Sequence, residues 1–356
     1  MVKEALKKIT LVNAPRKSGI GTFGLRLKEE LEKKAEIDYI EIKPTWMCLF
    51  SLWLKLWNRD FRIIFNLGFT SFGKSMYKNF FNFLMLKLYS ILNPSQSIIL
   101  HDSIDTSNLQ YSGYSNSGLL QIGGTIATKM LKNYNIFVFS NIFQNILEKK
   151  YGFKRVNYFP FPTESEFVKE CYRFEGEPLL LNLGYIAPYK GLDILPEIKS
   201  KLDDIKTMIV GNFYESYLST KNGFKFKEDL ITLMHKSGVS LVGYLEEDQL
   251  IELVKKYRAI AILPYMSGYN ASYSALFFVK LGIPVVATNL ELFFEIKSNG
   301  AGIVLVDRTP ESFANAIAMI LNSPNLTEGL IDCDRKYCSQ YSIKNFCDFL
   351  IRNSDY

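Results

Sequence analysis

Histidine is nearly missing from this sequence: His101 and His235 are the two examples among 356 residues. A metal site built from several histidines is therefore excluded, because the ligands for it do not exist. Asp102 and Asp105 have the wrong spacing for an Asp-x-Asp cation site after a strand. We therefore expect no bound metal.

Cysteine is also scarce, with five residues, an odd number. They are Cys48, Cys171, Cys333, Cys338 and Cys347. This spacing fits neither a disulfide framework nor a zinc site. We expect buried thiols in a reducing compartment.

Long apolar runs are missing as well, since nowhere do about 18 apolar residues follow one another. The first residues lack the apolar stretch and the cleavage site of a signal peptide. The net charge of +6 is mild, and no dense stripe of Lys and Arg indicates nucleic-acid binding. We expect a cytoplasmic protein without a nucleic-acid partner, either free or peripheral on the inner face of the membrane.

What the chain does contain is a regular alternation of apolar, β-rich runs with segments of helical periodicity. The predicted strands are 9–14, 37–42, 62–67, 97–101, 136–140, 155–159, 179–183, 206–210, 240–243, 259–263, 284–288 and 302–306. The predicted helices are 22–34, 74–92, 117–132, 141–150, 192–202, 225–235, 247–256, 272–281, 311–321 and 341–351. This alternation predicts parallel sheets covered by helices on both faces.

The length suggests two domains at about 100–200 residues each, so two doubly wound α/β domains in series is the economical interpretation. Pro160 and Pro162 interrupt both strand and helix and mark the boundary. We assign residues 1–163 to an N-terminal domain and 164–338 to a C-terminal domain. Residues 339–356 form a terminal helix that could pack on either domain, and we expect the N-terminal one.

A glycine-rich turn follows the first predicted strand and opens a helix. Gly19, Gly21 and Gly24 have the spacing that lets a backbone approach a ligand, and the helix N-terminus offers N–H groups to an anion. The acidic residue that usually closes the second strand of a dinucleotide fingerprint is missing. The turn predicts either phosphate or substrate contact, or a plain tight turn.

A second turn follows the first strand of the C-terminal domain. Ligands of open α/β sheets bind at the carboxyl ends of the strands. Lys190 lies at such an end, just before a predicted helix, where an ammonium could reach a diphosphate. A solvated surface lysine is the alternative.

From this turn onward, three ordered segments resemble glycosyltransferase family 4, which has the GT-B fold. Residues 184–195 read Gly-Tyr-Ile-Ala-Pro-Tyr-Lys-Gly-Leu-Asp-Ile-Leu and resemble the donor-phosphate segment. Residues 242–250 resemble the loop that holds the nucleotide base through backbone groups. Residues 263–288 resemble the diphosphate-binding turn and helix with the Gly-x-Pro-Val strand. The resemblance covers almost the whole chain and implies two Rossmann-like domains that face a central cleft.

The resemblance implies transfer of a sugar from a UDP- or GDP-type nucleotide sugar to a glycan or lipid-linked acceptor. It also implies retention of the anomeric configuration, independence of metal, and no cofactor. The implied donor contacts are Gly184, Tyr185, Lys190, Gly211, Gly243, Tyr244, Leu245, Asn270, Ser272, Tyr273 and Ser274. Those of the N-terminal domain are Gly19, Gly21, Thr22 and His101. Lys190 and His101 are the implied catalytic residues.

The sequence departs from the family pattern at three positions. Tyr185 stands where the family usually has a basic residue, and Arg16 or Lys17 could replace that cation. Tyr269 and Phe277 stand where the family has a pair of glutamates. A catalytically weakened binding subunit therefore stays open as an alternative. A nicotinamide-dependent oxidoreductase is less favoured, because it would leave the later motifs unexplained.

All three tryptophans lie in residues 46–57, an almost wholly apolar segment. Residues 74–92 form another aromatic-rich pattern, with Lys78 and Lys87. Wide apolar faces flanked by Trp and Lys suit a helix lying in a bilayer interface. Burial against the first sheet explains such helices equally well. Trp46–Trp57 is therefore either a peripheral membrane contact or part of the core.

Overall fold

We describe the fold from a computed structural model of the chain. It describes residues 8–15, 19–42, 62–68, 71, 76–92, 96–102, 118–164, 166–168, 171–172, 174–202, 205–218, 220–268 and 272–354. These residues divide into two units: those up to 164 together with 342–354 form the first, and 166–341 form the second.

The first unit contains a six-stranded parallel sheet. Its strands are β1 (Lys8–Asn13), β2 (Glu36–Glu41), β3 (Arg62–Leu67), β4 (Ser97–Leu100), β5 (Asn135–Val138) and β6 (Val156–Tyr158). They are arranged in the order β2-β1-β3-β4-β5-β6. The central strands are buried on both faces, which explains why they are continuous apolar runs. The six strands predicted in this half are confirmed.

Helices cover both faces of this sheet. They are α1 (Gly19–Leu31), α2 (Met76–Leu92), α3 (Gly118–Met130) and α4 (Asn141–Asn145), which a π-helical turn (Ile146–Lys150) extends. One apolar cluster joins α2 and α3 to the sheet, and another joins α1 to the opposite face. The Ser140 hydroxyl caps α4 by accepting from the Phe143 N–H at 3.3 Å.

The second unit repeats this architecture. Its strands are β7 (Pro178–Leu183), β8 (Lys206–Val210), β9 (Ser240–Gly243), β10 (Arg258–Leu263), β11 (Val285–Thr288) and β12 (Ile303–Val306). They form a second parallel sheet in the order β12-β11-β10-β7-β8-β9. The strand β7, first in sequence, lies near the centre, and later strands are added on both sides. The strand predictions of this half are also confirmed.

The helices of the second unit differ more from expectation. They are α5 (Leu195–Ser200), α6 (Glu215–Leu218), α7 (Lys221–Lys236), α8 (Glu247–Val254), α9 (Tyr273–Lys280), α10 (Glu291–Ser298), α11 (Pro310–Asn322) and α12 (Pro324–Gln340). The helix predicted from residue 192 begins instead as 3-10 turns, Pro188–Lys190 and Leu192–Ile194, because Gly191 between them is left-handed (φ 63°). The sequence analysis missed α6, α10 and α12.

The last helix, α13 (Ile343–Asn353), returns to the first unit. Its apolar stripe, Ile343, Phe346, Cys347 and Leu350, is buried in the cluster that contains α1. Burial raises the pKa of the Cys347 thiol to about 12, which keeps this cysteine protonated. Cys333 is exposed, so the expectation of buried thiols is wrong there: it lies on the solvent side of α12. No helix of the described ranges has the length and apolar character needed to cross a bilayer.

Candidate functional site

Three glycines follow three neighbouring strands at the carboxyl edge of the second sheet. Gly184 ends β7, Gly211 ends β8 and Gly243 ends β9, with φ angles of 115°, 146° and 79°. The Gly211 N–H donates to the Gly243 carbonyl at 2.7 Å. A Cβ on Gly211 would lie 2.0 Å from the Gly184 carbonyl oxygen. The ends of β7 and β8 are therefore packed too closely for a side chain on Gly211, and all three glycines have positive φ angles that other residues rarely adopt.

Lys190 lies beside this glycine edge and is buried, with 6% of its surface exposed. Its Nζ donates to the Tyr265 hydroxyl and lies 4.1 Å from the centroid of the Tyr265 ring. A Cβ on Gly184 would be 3.4 Å from the same Nζ. The turn therefore directs the lysine inward, to the edge where β7 and β10 end.

The charge of Lys190 has no carboxylate counterpart among the described residues, whereas the other buried lysine of this unit has one. Lys280, 3% exposed, forms a 2.6 Å ion pair with Glu247. Burial lowers the pKa of the Lys190 ammonium, but the Tyr265 and Tyr189 phenol oxygens outweigh this effect and the net pKa is raised. Lys190 is therefore charged at neutral pH, and one of its three N–H donors is used by Tyr265.

The N-terminus of α9 adjoins Lys190 through a chain of hydroxyls. The Tyr265 and Ser272 hydroxyls are 3.3 Å apart, and Ser272 caps α9 by accepting from the Ala275 N–H at 3.3 Å. The Ser274 hydroxyl donates to the Leu183 carbonyl at 2.8 Å and fastens the helix to the end of β7. A helix N-terminus carries partial positive charge. The buried ammonium and this helix end therefore act on the same region.

Arg308, which the sequence analysis missed, holds the lysine turn in place. Its guanidinium donates to the Pro264 carbonyl at 3.1 Å, to the Gly191 carbonyl at 3.2 Å and to the Asp193 carboxylate at 2.6 Å. Its position after a predicted strand could have indicated it, because an arginine two residues after β12 lies at the same carboxyl edge as the other candidates. No local motif marks it.

Three predicted donor residues present exposed aromatic rings at this edge. Tyr185, Tyr244 and Tyr273 are 53%, 63% and 45% exposed. The Tyr185 ring contacts Tyr214 edge-on, with centroids 5.6 Å apart. Leu245 follows Tyr244 and is half-buried.

The positions that depart from the family pattern are only partly described. Phe277 is buried, and its ring lies 6.2 Å from that of Tyr273. Arg16, Lys17, Tyr269 and Asn270 lie outside the described residues. Phe277, at the second position of the glutamate pair, therefore places a buried apolar ring on α9 where the family has a carboxylate.

The carboxyl edge of the first sheet has a different chemistry, a chain of neutral polar side chains. The Asn66 amide donates to Asn13 Oδ1 at 2.7 Å and to the Ile20 carbonyl at 2.8 Å. The Asn13 amide donates to the Gly21 carbonyl at 2.9 Å. His101 Nε2 lies 2.7 Å from Asn66 Oδ1. The glycine-rich turn and His101 are thus joined through two buried asparagines that the sequence analysis missed.

The hydrogen bond from His101 to Asn66 determines the tautomer of the imidazole. Because Asn66 Oδ1 only accepts, Nε2 carries the proton and Nδ1 keeps its lone pair. The rings of Phe23 and Phe139 lie 5.2 Å from the imidazole, between centroids. Burial lowers the pKa of His101 to about 3. The imidazole is therefore neutral near pH 7 and suited to hydrogen bonding.

The remaining predicted residues of this edge lie at the start of α1. Gly19 and Thr22 are exposed on its first turn, while Gly21 is buried. No group of three or more His, Cys, Asp or Glu side chains arranged for a metal occurs within the described part of the chain.

Residues 164–337 match the profile of the family described as glycosyl transferases group 1. The match covers nearly all of the second unit, with its glycine edge, Lys190 and α9. No curated protein sequence matches the chain.

Solved structures show the fold of the whole chain. HepE from Anabaena, in complex with UDP and glucose, has a TM-score of 0.71 at 12% identity over 97% of this chain and 98% of its own. Sucrose-phosphate synthase from Thermosynechococcus elongatus has 0.71 at 15% identity over 97% and 98%. TarM from S. aureus, in complex with Fondaparinux, alpha-GlcNAc-glycerol and UDP, has 0.61 at 14% identity over 94% of this chain and 59% of its own. With its second unit in the glycosyl transferases group 1 family and its whole length in the GT-B fold, the chain is a glycosyltransferase.

Proposed function

We propose that this glycosyltransferase transfers a sugar from a UDP- or GDP-type nucleotide sugar to a hydroxyl of a glycan or lipid-linked acceptor. The observation that carries the proposal is the buried Lys190 ammonium, which lacks a carboxylate partner among the described residues. A buried charge without a partner is costly, so it is retained where a ligand supplies the opposite charge. The UDP complexes of HepE and TarM make UDP the first nucleotide to test.

In this proposal the donor diphosphate lies against Lys190, the Gly184 backbone and the N-terminus of α9 at Ser272. Negative charge grows on the diphosphate as it leaves the anomeric carbon. A preorganised ammonium and a helix N-terminus stabilise that charge, because they need no reorganisation when it forms. The backbone at 243–245 holds the nucleotide base, beside the exposed rings of Tyr185 and Tyr244.

His101 has a positioning role in the same proposal. A group with a pKa of about 3 takes up almost no proton near neutral pH, so it is a poor general base. Its Nδ1 lone pair accepts a hydrogen bond from a hydroxyl of the donor sugar or of the acceptor. The glycine-rich turn, fastened by Asn13 and Asn66, presents Gly19, Gly21 and Thr22 to the same ligand.

We further propose that the transfer retains the anomeric configuration and needs neither metal nor cofactor. Lys190 and α9 supply the positive charge that a divalent cation would otherwise supply. Turnover that is unchanged by EDTA supports this part, and NMR of the first-formed product determines the anomer. The cytoplasmic location stays a prediction. The membrane contact through Trp46–Trp57 also stays a prediction, since residues 43–61 lie outside the described part.

The test compares two buried lysines. Lys190→Met should lower kcat/KM for the nucleotide sugar at least about tenfold, which corresponds to about 1.4 kcal/mol of transition-state stabilisation. It should also reduce the thermal shift that the nucleotide diphosphate produces. Lys280→Met is the matched control, because it removes a similarly buried ammonium that is already paired with Glu247. This variant should lower the free energy of unfolding and leave kcat/KM close to that of the wild type.

An unchanged kcat/KM in Lys190→Met would falsify the phosphate role. A second outcome is favoured by the burial of Phe277 where a sugar-binding glutamate is expected. If the wild type binds nucleotide sugars through Lys190 and turns none over, the chain is a donor-binding subunit. A screen of nucleotide sugars for both binding and turnover separates the two.

A further inference from the structure

The net positive charge of this chain arises in residues 61–163, where acidic residues are scarce. Residues 61–163 contain ten Lys and Arg against three Asp and Glu, whereas the rest contains 32 against 33. The net charge of +6 therefore comes from this part of the first unit.

An exposed apolar stripe follows the outer side of α2 and α3 in the same region. On α2, Leu84, Leu88 and Ile91 are 36%, 45% and 60% exposed, at the spacing of one helix face. On α3, which packs beside α2, Ile122 and Ile126 are 60% and 42% exposed. Single exposed apolar residues are ordinary, but five of them on two helices that pack side by side indicate an interaction surface.

The stripe ends in a basic pocket. Ile91 lines this pocket together with Lys132, Lys154 and Arg155. Lys132 and Lys154 are exposed and have no ion-pair partner among the described residues. The Arg155 guanidinium donates to the Asn133 carbonyl, a neutral acceptor, at 2.6 Å.

The pocket lies at the edge of the sheet opposite to the glycine-rich turn. Lys132 precedes β5, while Lys154 and Arg155 precede β6, so all three lie where strands begin. His101 and Gly19 follow the ends of β4 and β1. In a parallel sheet these are opposite edges, so the basic pocket is separate from the candidate site of this unit.

We infer that the α2–α3 stripe and its basic pocket form a docking surface for a bilayer that contains anionic lipids. The exposed aliphatic side chains enter the boundary between headgroups and acyl chains, and the cations at the end of the stripe bind lipid phosphates. Charge complementarity favours this occupant, because Glu148 is the one acidic residue between residues 106 and 163. The inference does not depend on the proposed function.

The experiment measures binding of the full chain to two vesicles, one of phosphatidylcholine and one of an equal mixture with phosphatidylglycerol. We expect binding to the anionic vesicle, weakened by salt, and none to the neutral one. Leu88→Glu with Ile91→Glu tests the apolar stripe, and Lys132→Gln with Lys154→Gln tests the pocket. Each pair should weaken binding at least about tenfold: the lysine pair because each basic residue near an anionic surface contributes about 1 kcal/mol, and the Leu88 and Ile91 pair because apolar burial is lost and negative charge is added.

The control pair is Phe294→Glu with Lys297→Gln, two exposed residues of α10 in the second unit. Melting curves check that every variant is folded. Failure of the wild type to bind either vesicle overturns the inference. Binding that survives both test pairs also overturns it, since docking then uses another surface, as does equal loss in the control. A dimer in solution that the apolar pair dissociates would show that a second copy occupies the stripe.

Discussion

The carboxyl edges of the two sheets share one architecture and differ in charge. The edge of the second unit has a buried ammonium, Lys190, next to the N-terminus of α9. The edge of the first unit has a neutral chain of Asn13, Asn66 and His101. The charged edge of the second unit suits an anion, whereas the neutral edge of the first unit suits hydroxyl groups. The contrast shows how one fold, used twice, obtains two binding chemistries from the side chains at its strand ends.

The largest expected effect is on the backbone of the charged edge. Gly211→Ala introduces a Cβ 2.0 Å from the Gly184 carbonyl oxygen at a φ of 146°. We expect a loss of about 3 kcal/mol or more in the unfolding free energy of the second unit, because both strain and a backbone clash must be relieved. Thermal and urea unfolding measure it.

Gly329→Ala is the matched control for that change. Gly329 lies on α12, and a Cβ there meets nothing within 4 Å. The substitution should stabilise by up to about 1 kcal/mol, as expected for a helix interior. If Gly211→Ala lowers the free energy of unfolding no more than Gly329→Ala does, the glycine edge is not tightly packed.

The next effect concerns the neutral edge. Asn66→Ala leaves Asn13 Oδ1, the Ile20 carbonyl and His101 Nε2 without their partner. We expect a loss of about 2 kcal/mol of stability, the usual cost of unsatisfied buried polar groups. The affinity of the second unit for nucleotide should not change. Asn145→Ala, which removes an exposed amide bonded within α4, should cost less than about 0.5 kcal/mol.

The last contrast is the pH dependence of stability, which should differ between the two edges. His101 has a folded pKa of about 3, below its unfolded value of 6.5. Its contribution to stability is present above pH 6.5 and is lost as the pH falls towards 3. The slope is at most about 1.4 kcal/mol per pH unit. The pKa of Lys190 is raised, so its contribution is present below its unfolded value and is lost at higher, alkaline pH.

Urea unfolding from acid to alkaline pH, compared between the wild type, His101→Gln and Lys190→Met, measures these dependences. His101→Gln should flatten the acid side, and Lys190→Met the alkaline side. If both variants change the same side, the contrast between a neutral and a charged edge is wrong.

The central strands were predictable because each is a short run that is apolar on both faces. Leu179 to Leu181 and Val285 to Ala287 are fully buried, so no polar residue interrupts the pattern. The helix α12 was missed because most of its residues are polar. It buries Thr327 and Asp334, and the Asp334 carboxylate accepts from the Gly302 N–H at 2.7 Å. A tertiary partner supports a helix that periodicity does not show.

The sequence by itself determined the two α/β units, the glycine edge and the place of Lys190, because strand ends and glycine turns are local features. Only the tertiary structure decided that Lys190 is buried beside Tyr265, that Arg308 fastens its turn, and that Asn66 determines the tautomer of His101. The partners in these contacts are separated by tens of residues. Burial and hydrogen bonding between such distant residues arise when parallel strands bring their ends together, and no local pattern records them.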